Sequence, residues 1–143
     1  MNAPVKFLIG LAAALLMGWI WHGPAGQSEA FAGAVEAQVK MAAEQAELPG
    51  VEARLERDPL TRRALLSGEA NDLQREGLGS QWGVKDYVRS VEGVADVRWD
   101  DEPAGFRLPL LAETLILVAL AYAVGFGLAF LFFGRRRRQS FLD

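Results

Sequence analysis

The chain of 143 residues contains no cysteine. Disulfides, thiolate nucleophiles and cysteine-held metals are therefore excluded, and the lack of thiols is harmless in an oxidising compartment. Histidine is almost as scarce: His22 is the only one, and it stands at the end of an apolar run beside Trp19 and Trp21, which suits a membrane interface. Ser67 and Ser80 have no histidine nearby, so a serine nucleophile has no support. Gly77 and Gly79 lack the context of a phosphate-binding loop.

Charge is missing from one long stretch. The run Leu108–Gly134 is predominantly apolar, and from Thr114 to Gly134 it carries no charged residue at all. About 20 such residues suffice for a helix to cross the hydrocarbon core. Arg135, Arg136, Arg137 and Arg138 follow directly. Four arginines resist translocation and mark a cytoplasmic end, and such a cluster also attracts anionic lipids. A second apolar segment runs from Val5 to Trp21, broken only by Lys6, which can snorkel. It reads as a transmembrane anchor. The alternative is a cleaved secretory signal, with Ala30-Phe31-Ala32 as its A-x-A site. Either reading exports the middle of the chain.

The net charge of −3 hides an asymmetry: residues 23–113 hold ten Lys+Arg against seventeen Asp+Glu, while the ends are basic. Basic ends and an acidic middle are what a loop crossing to the outside predicts, since Lys and Arg stay inside. An acidic domain also argues against nucleic-acid binding.

These features divide the chain into a first apolar helix over residues 1–22, an exported domain over 23–107, a second span over 108–134 and a basic tail over 135–143. Small residues recur four apart in both apolar segments, at Gly10, Ala14 and Gly18, and at Ala121, Gly125 and Ala129. Such rows let helices approach closely, so they are candidate packing faces, for each other or for a partner.

The exported domain reads as α+β. Ser28 is placed to cap a helix whose apolar face is Phe31, Val35, Val39, Ala42 and Ala46, stopped by Pro49-Gly50. Val51, Ala53 and Leu55 alternate with charged residues as a strand. Asp58-Pro59 turns the chain into a second strand over Arg63–Ala70, with Ala64, Leu66, Gly68 and Ala70 on one face. Asn71 or Asp72 caps a further helix, which the glycines of the Gly77–Gly83 piece interrupt. Helix resumes with Val84, Tyr87, Val88 and Val91, and Gly93 fits its C′ position. Val97 and Trp99 form a third strand. Three strands with helices on one face would bury both apolar stripes. Trp82, Tyr87 and Trp99 are expected in this core, and Asp100, Asp101 and Glu102 as a solvated turn rather than a cation site. Glu113, at the outer edge of the second span, is placed to pair with Arg107 or a partner.

This αββαβ order resembles the BON domain of bacterial envelope proteins. The likeness covers residues 29–101 and rests on Ala64-Leu65-Leu66-Ser67-Gly68 and on Val91-Glu92-Gly93-Val94-Ala95-Asp96-Val97. It is also similar to the membrane-proximal region of alphaproteobacterial OmpA-like proteins, but no peptidoglycan-binding domain follows. The resemblance implies a non-catalytic module that binds phospholipid headgroups or another envelope protein, with no cofactor and no catalytic residues to transfer. With the topology above it implies a bacterial inner-membrane protein with both termini cytoplasmic and the central domain periplasmic. An accessory subunit of a membrane complex is the alternative, and a homo-oligomer stays open.

Overall fold

The structure, a computed structural model, describes residues 3–133; Arg135–Arg138 lie outside the described residues. The chain order is α1 (Ala3–His22), α2 (Gln27–Glu44), β1 (Glu52–Arg57), β2 (Leu60–Ser67), α3 (Asp72–Glu76), α4 (Val84–Arg89), β3 (Asp96–Trp99) and α5 (Leu110–Phe133). The chain divides into a unit of the two terminal helices and a unit spanning Gly26–Leu110.

In the first unit, α1 and α5 are both long and apolar enough to cross a membrane. They touch through unequal side chains. Gly10 leaves room for the Tyr122 hydroxyl, which donates to the Phe7 carbonyl at 3.0 Å. This satisfies a polar tip in apolar surroundings. The Phe7 ring meets Phe126 edge-on, with centroids 5.0 Å apart. One end of α1 further on, Gly18 lies against Val118 and Leu115.

In the second unit, the sheet order is β1-β2-β3, with β1 and β2 antiparallel and β2 and β3 parallel. Register pairs Ala53 with Leu66 and Leu55 with Ala64, then Ala64 with Val97 and Leu66 with Trp99. One face of the sheet is thus apolar, and α2 and α4 close over it with Val35, Val39, Val84 and Val88. Trp99, Leu66 and Val39 are among the largest wholly buried side chains.

Three expectations need correction. Helix α2 starts at Gln27 behind Gly26, which offers no side-chain cap; Ser28 lies inside the helix. Strand β2 occupies Leu60–Ser67, not Arg63–Ala70. It ends because Gly68, at φ +116°, approaches the Gly50 backbone so closely that a Cβ would collide with the Gly50 carbonyl. The helix expected after Asn71 is present as α3, capped reciprocally by Asn71 and Gln74, and the glycine-rich piece separates it from α4 as expected. Helix α4 ends at Arg89, so Gly93 is not its C′ residue; it packs instead on Val35 and Phe31 of α2.

Candidate functional site

The glycine-rich piece shapes an open concavity of the domain. Leu78 and Gln81 exchange backbone hydrogen bonds of 2.9 and 3.0 Å, closing a small hairpin between α3 and α4. The flanks of this hairpin run so close that a Cβ on Gly77 would strike Gln81 and Gly83, and one on Gly83 would strike Gly77 and Arg75. Glycine at both positions permits the crossing. The crossing pushes Leu78 and Trp82 outward, at 71% and 58% exposure. Trp82 was expected in the core and is not there; its ring leans edge-on against the half-buried Tyr87, centroids 5.3 Å apart. Together with Ala46, Leu48, Leu73 and Val84 these two rings line an open groove of about 560 Å³, with Gln74 and Gln81 as its polar contacts.

Ion pairs hold the groove's walls. Lys85, 9% exposed, lies 2.5 Å from Glu76 and 2.6 Å from Glu102. Burial works against its charge, but the two carboxylates outweigh it and raise the ammonium above its ordinary value. Lys85 is thus a held cation and offers no free amine for chemistry. Burial likewise works against Glu102, yet Lys85 and the Trp99 backbone N–H lower its carboxyl below the usual range. Arg75 pairs with Asp101 at 2.8 Å and stacks over Trp99 at 4.3 Å. Its guanidinium lowers the Asp101 carboxyl. The acidic triplet is the solvated turn expected, with Asp100 and Asp101 exposed, and two of its members, Asp101 and Glu102, are also tied to cations. Among the described residues no group of three His, Asp or Glu is arranged to hold a metal.

A second network lies on the other face of the sheet. Arg63, with its side chain 4% exposed, meets Asp96 at 3.0 Å and Glu56 at 3.6 Å, and donates to the Gly105 carbonyl at 2.8 Å. Asp96 also accepts from Arg107 at 3.1 Å. The segment after β3 is thereby strapped across the sheet. Burial opposes ionisation of Asp96, but Arg107 and Arg63 win and lower its carboxyl. Arg107, expected as a partner for Glu113, is engaged here.

These contacts order the domain end to end. The start of α2, the β1–β2 turn and the start of β3 share one end, where Arg57 reaches Glu29 and Glu36 and Gly93 meets Phe31. The chain enters this end at Gly26 and leaves it after Arg107. The groove lies at the other end, beyond the last turn of α2.

Of the small-residue rows, Gly10 and Gly18 face α5, with Ala14 half-buried between them. Ala121, Gly125 and Ala129 are exposed, and nothing lies within 4 Å of a Cβ on Gly125. The face of α5 toward α1 carries Leu115, Val118 and Tyr122 instead.

No family model, curated protein or solved structure matches the chain. The fold in hand is an α+β domain between two apolar helices, and the class it defines is a small membrane-associated protein.

Proposed function

We propose that this chain is a non-catalytic module anchored in a bacterial inner membrane, whose BON-like periplasmic domain binds another envelope protein. The observation that carries this reading is the position of the groove at Trp82 and Tyr87, at the end of the domain opposite its two connections to α1 and α5. Those connections are short: Gly23–Gly26 on one side, and Leu108 and Pro109 after the strapped Arg107 on the other. A groove so placed is free to meet a partner while the opposite end stays tied to the membrane helices.

The charge pattern favours protein over lipid headgroups. The domain is net acidic, and Lys40, Arg57, Arg63, Arg75, Lys85 and Arg107 have carboxylate partners within it. Arg54 on β1 and Arg89 on α4 are single separated charges rather than a basic patch. Headgroup recognition calls for unspent cations. The acidic domain and the arginine tail together support a periplasmic domain with cytoplasmic termini. Retention of the first segment is supported by the surroundings of the A-x-A site. Ala32 is wholly buried in the core, so cleavage there would cut α2 and remove Phe31 from Gly93.

A photoreactive amino acid at Trp82, illuminated in intact membranes, tests this. A discrete protein adduct at Trp82, absent when the probe stands at Glu69, supports the proposal; lipid adducts alone, or none, overturn it. A second reading, the accessory subunit, is favoured by the exposed row Ala121, Gly125 and Ala129. It requires that Gly125→Leu strip a co-purifying membrane protein from the chain.

A further inference from the structure

Strand β1 is an edge: in the order β1-β2-β3 no strand lies on its outer side. An unpaired edge is a template for another strand unless it is short, charged, bulged away or covered. Here it is six residues long, and its only irregularity falls at the Leu55–Arg57 end. Its charges, Glu52, Arg54, Glu56 and Arg57, are of both signs, so they choose among partner strands by charge rather than repel all of them. It is also not covered. Two concavities follow it from end to end. One, of about 430 Å³, lies between α2 and Val51–Arg54. The other, of about 500 Å³, continues past Leu55 to Asp58, and Glu36 and Arg54 border both. A helix running beside a free edge strand, with a trough between them, is the geometry in which an extended peptide adds to a sheet. We propose that β1 takes an extended, basic segment of another protein as a fourth strand, independently of the groove at Trp82.

The side chains around the trough set the chemistry of that segment. Alternate residues of an added strand point to opposite faces. Those on the helix side would meet Ala43 and the Lys40 stem, a shallow site suited to small apolar side chains. Those on the open side would meet Glu52, Arg54 and Glu56. Glu36 is engaged by Arg57 and Lys40, and Glu56 by Thr61 and Arg63. Glu44 and Glu52 have no ion pair among the described residues, and Arg54 is the one cation beside them in the same position. The unspent charge is therefore negative, and it selects lysine or arginine in alternation with valine-like residues.

A second copy of this chain is the competing occupant; dimers of the full chain in nanodiscs that the lysine–valine peptide does not disperse would overturn the proposal.

The test uses the full chain in nanodiscs of zwitterionic lipid and a fluorescent synthetic peptide alternating lysine and valine, followed by anisotropy. Two further peptides carry N-methyl groups on alternate residues, one set along each edge. Strand addition predicts that one methylated peptide binds and the other does not, because only one edge pairs with β1. The double variant Glu44→Lys with Glu52→Lys, both exposed, is expected to weaken the lysine peptide by about tenfold and to improve binding of the glutamate–valine counterpart. Equal binding of both methylated peptides, an unchanged affinity in the double variant, or no binding of the unmodified peptide overturns the proposal.

Discussion

Arg63 and Asp96 face each other across the parallel register of β2 and β3, Nε to Oδ2 at 3.0 Å. They sit on the face of the sheet that carries no helix, where an ion pair is ordinarily exposed and contributes little. Both are instead shared with the segment that leaves β3: Arg63 donates to Gly105, and Asp96 accepts from Arg107. The pair is a clasp. It fastens the chain leading to α5 against the sheet, and the strap in turn shields Arg63 from water.

Arg63→Met should therefore do more than remove a surface charge. A buried, hydrogen-bonded guanidinium with several acceptors is lost, while Asp96 keeps Arg107. The expected cost is about 2 kcal/mol, below the full penalty for orphaning a buried charge. Hydrogen exchange of the full chain in nanodiscs should show Gly105–Arg107 deprotected in this variant, with α2 and α4 little changed. Retained protection at Gly105 would mean that the strap does not depend on the clasp.

The carboxylates of Glu36, Asp96, Asp101 and Glu102 are all lowered by their cations. Lowered acids contribute stability that is present above the unfolded-state value and is lost as pH falls through the folded one. The ordinary values are 3.8 for Asp and 4.5 for Glu. Stability should thus hold from neutral pH down to about 5 and decline below that, steepening as the lowered groups protonate. Lys85 has the opposite sign: being raised from 10.5, its contribution is complete below that value and is lost above it. Urea midpoints followed by tryptophan fluorescence should trace this profile. Glu102→Gln should lower the plateau and flatten the acid limb; an unchanged acid limb would remove Glu102 from the account.

Much of the domain was legible because local periodicity and tertiary burial agree. Ala53 and Leu55 alternate and are buried, Val35 and Val39 repeat at helical spacing and are buried, and Asn71 caps where it was expected. The errors share one cause, contacts between residues far apart in sequence. Strand β2 stops at Ser67 because Gly68 meets Gly50, which no local pattern announces. Arg63 alternates like a solvent-facing residue, and only the return of Gly105, 42 positions on, buries it. Trp82 carries the hydrophobic signal of a core residue, and the crossing of Gly77 with Gly83 turns it outward. On α5 the row Ala121, Gly125 and Ala129 does not face α1, because a glycine on α1 accepts a large neighbour and Tyr122 fills that role.

The crossing makes a sharp comparison among glycines. Gly77→Ala places a methyl against the Gln81 carbonyl and the Gly83 nitrogen at a φ of +73°. Strain and collision together should cost about 2 kcal/mol or more and dismantle the Trp82–Tyr87 contact. Gly79→Ala, at φ +61° with open space around it, should cost only about 1 kcal/mol. Gly33→Ala, inside α2 with nothing near, should stabilise by about 1 kcal/mol through helix propensity. Thermal scans of the three variants check the order. A Gly77→Ala protein as stable as the parent would show that the hairpin does not shape the groove.

The terminal helices separate two uses of glycine. Gly10 lies under the Tyr122 hydroxyl, so Gly10→Leu must displace Tyr122 and break its hydrogen bond to Phe7. Gly125 faces open space, so Gly125→Leu leaves the contact between α1 and α5 intact. The absence of native cysteine makes the distinction measurable: with Gly18→Cys and Val118→Cys introduced at neighbouring positions, oxidation reports the pairing of the two helices within one chain. Crosslinking should fall severalfold with Gly10→Leu and persist with Gly125→Leu. Close helix approach in a bilayer depends on small residues at the contact and not on those elsewhere on the helix. An equal loss from both substitutions would mean that the row Ala121, Gly125 and Ala129 takes part in the same contact.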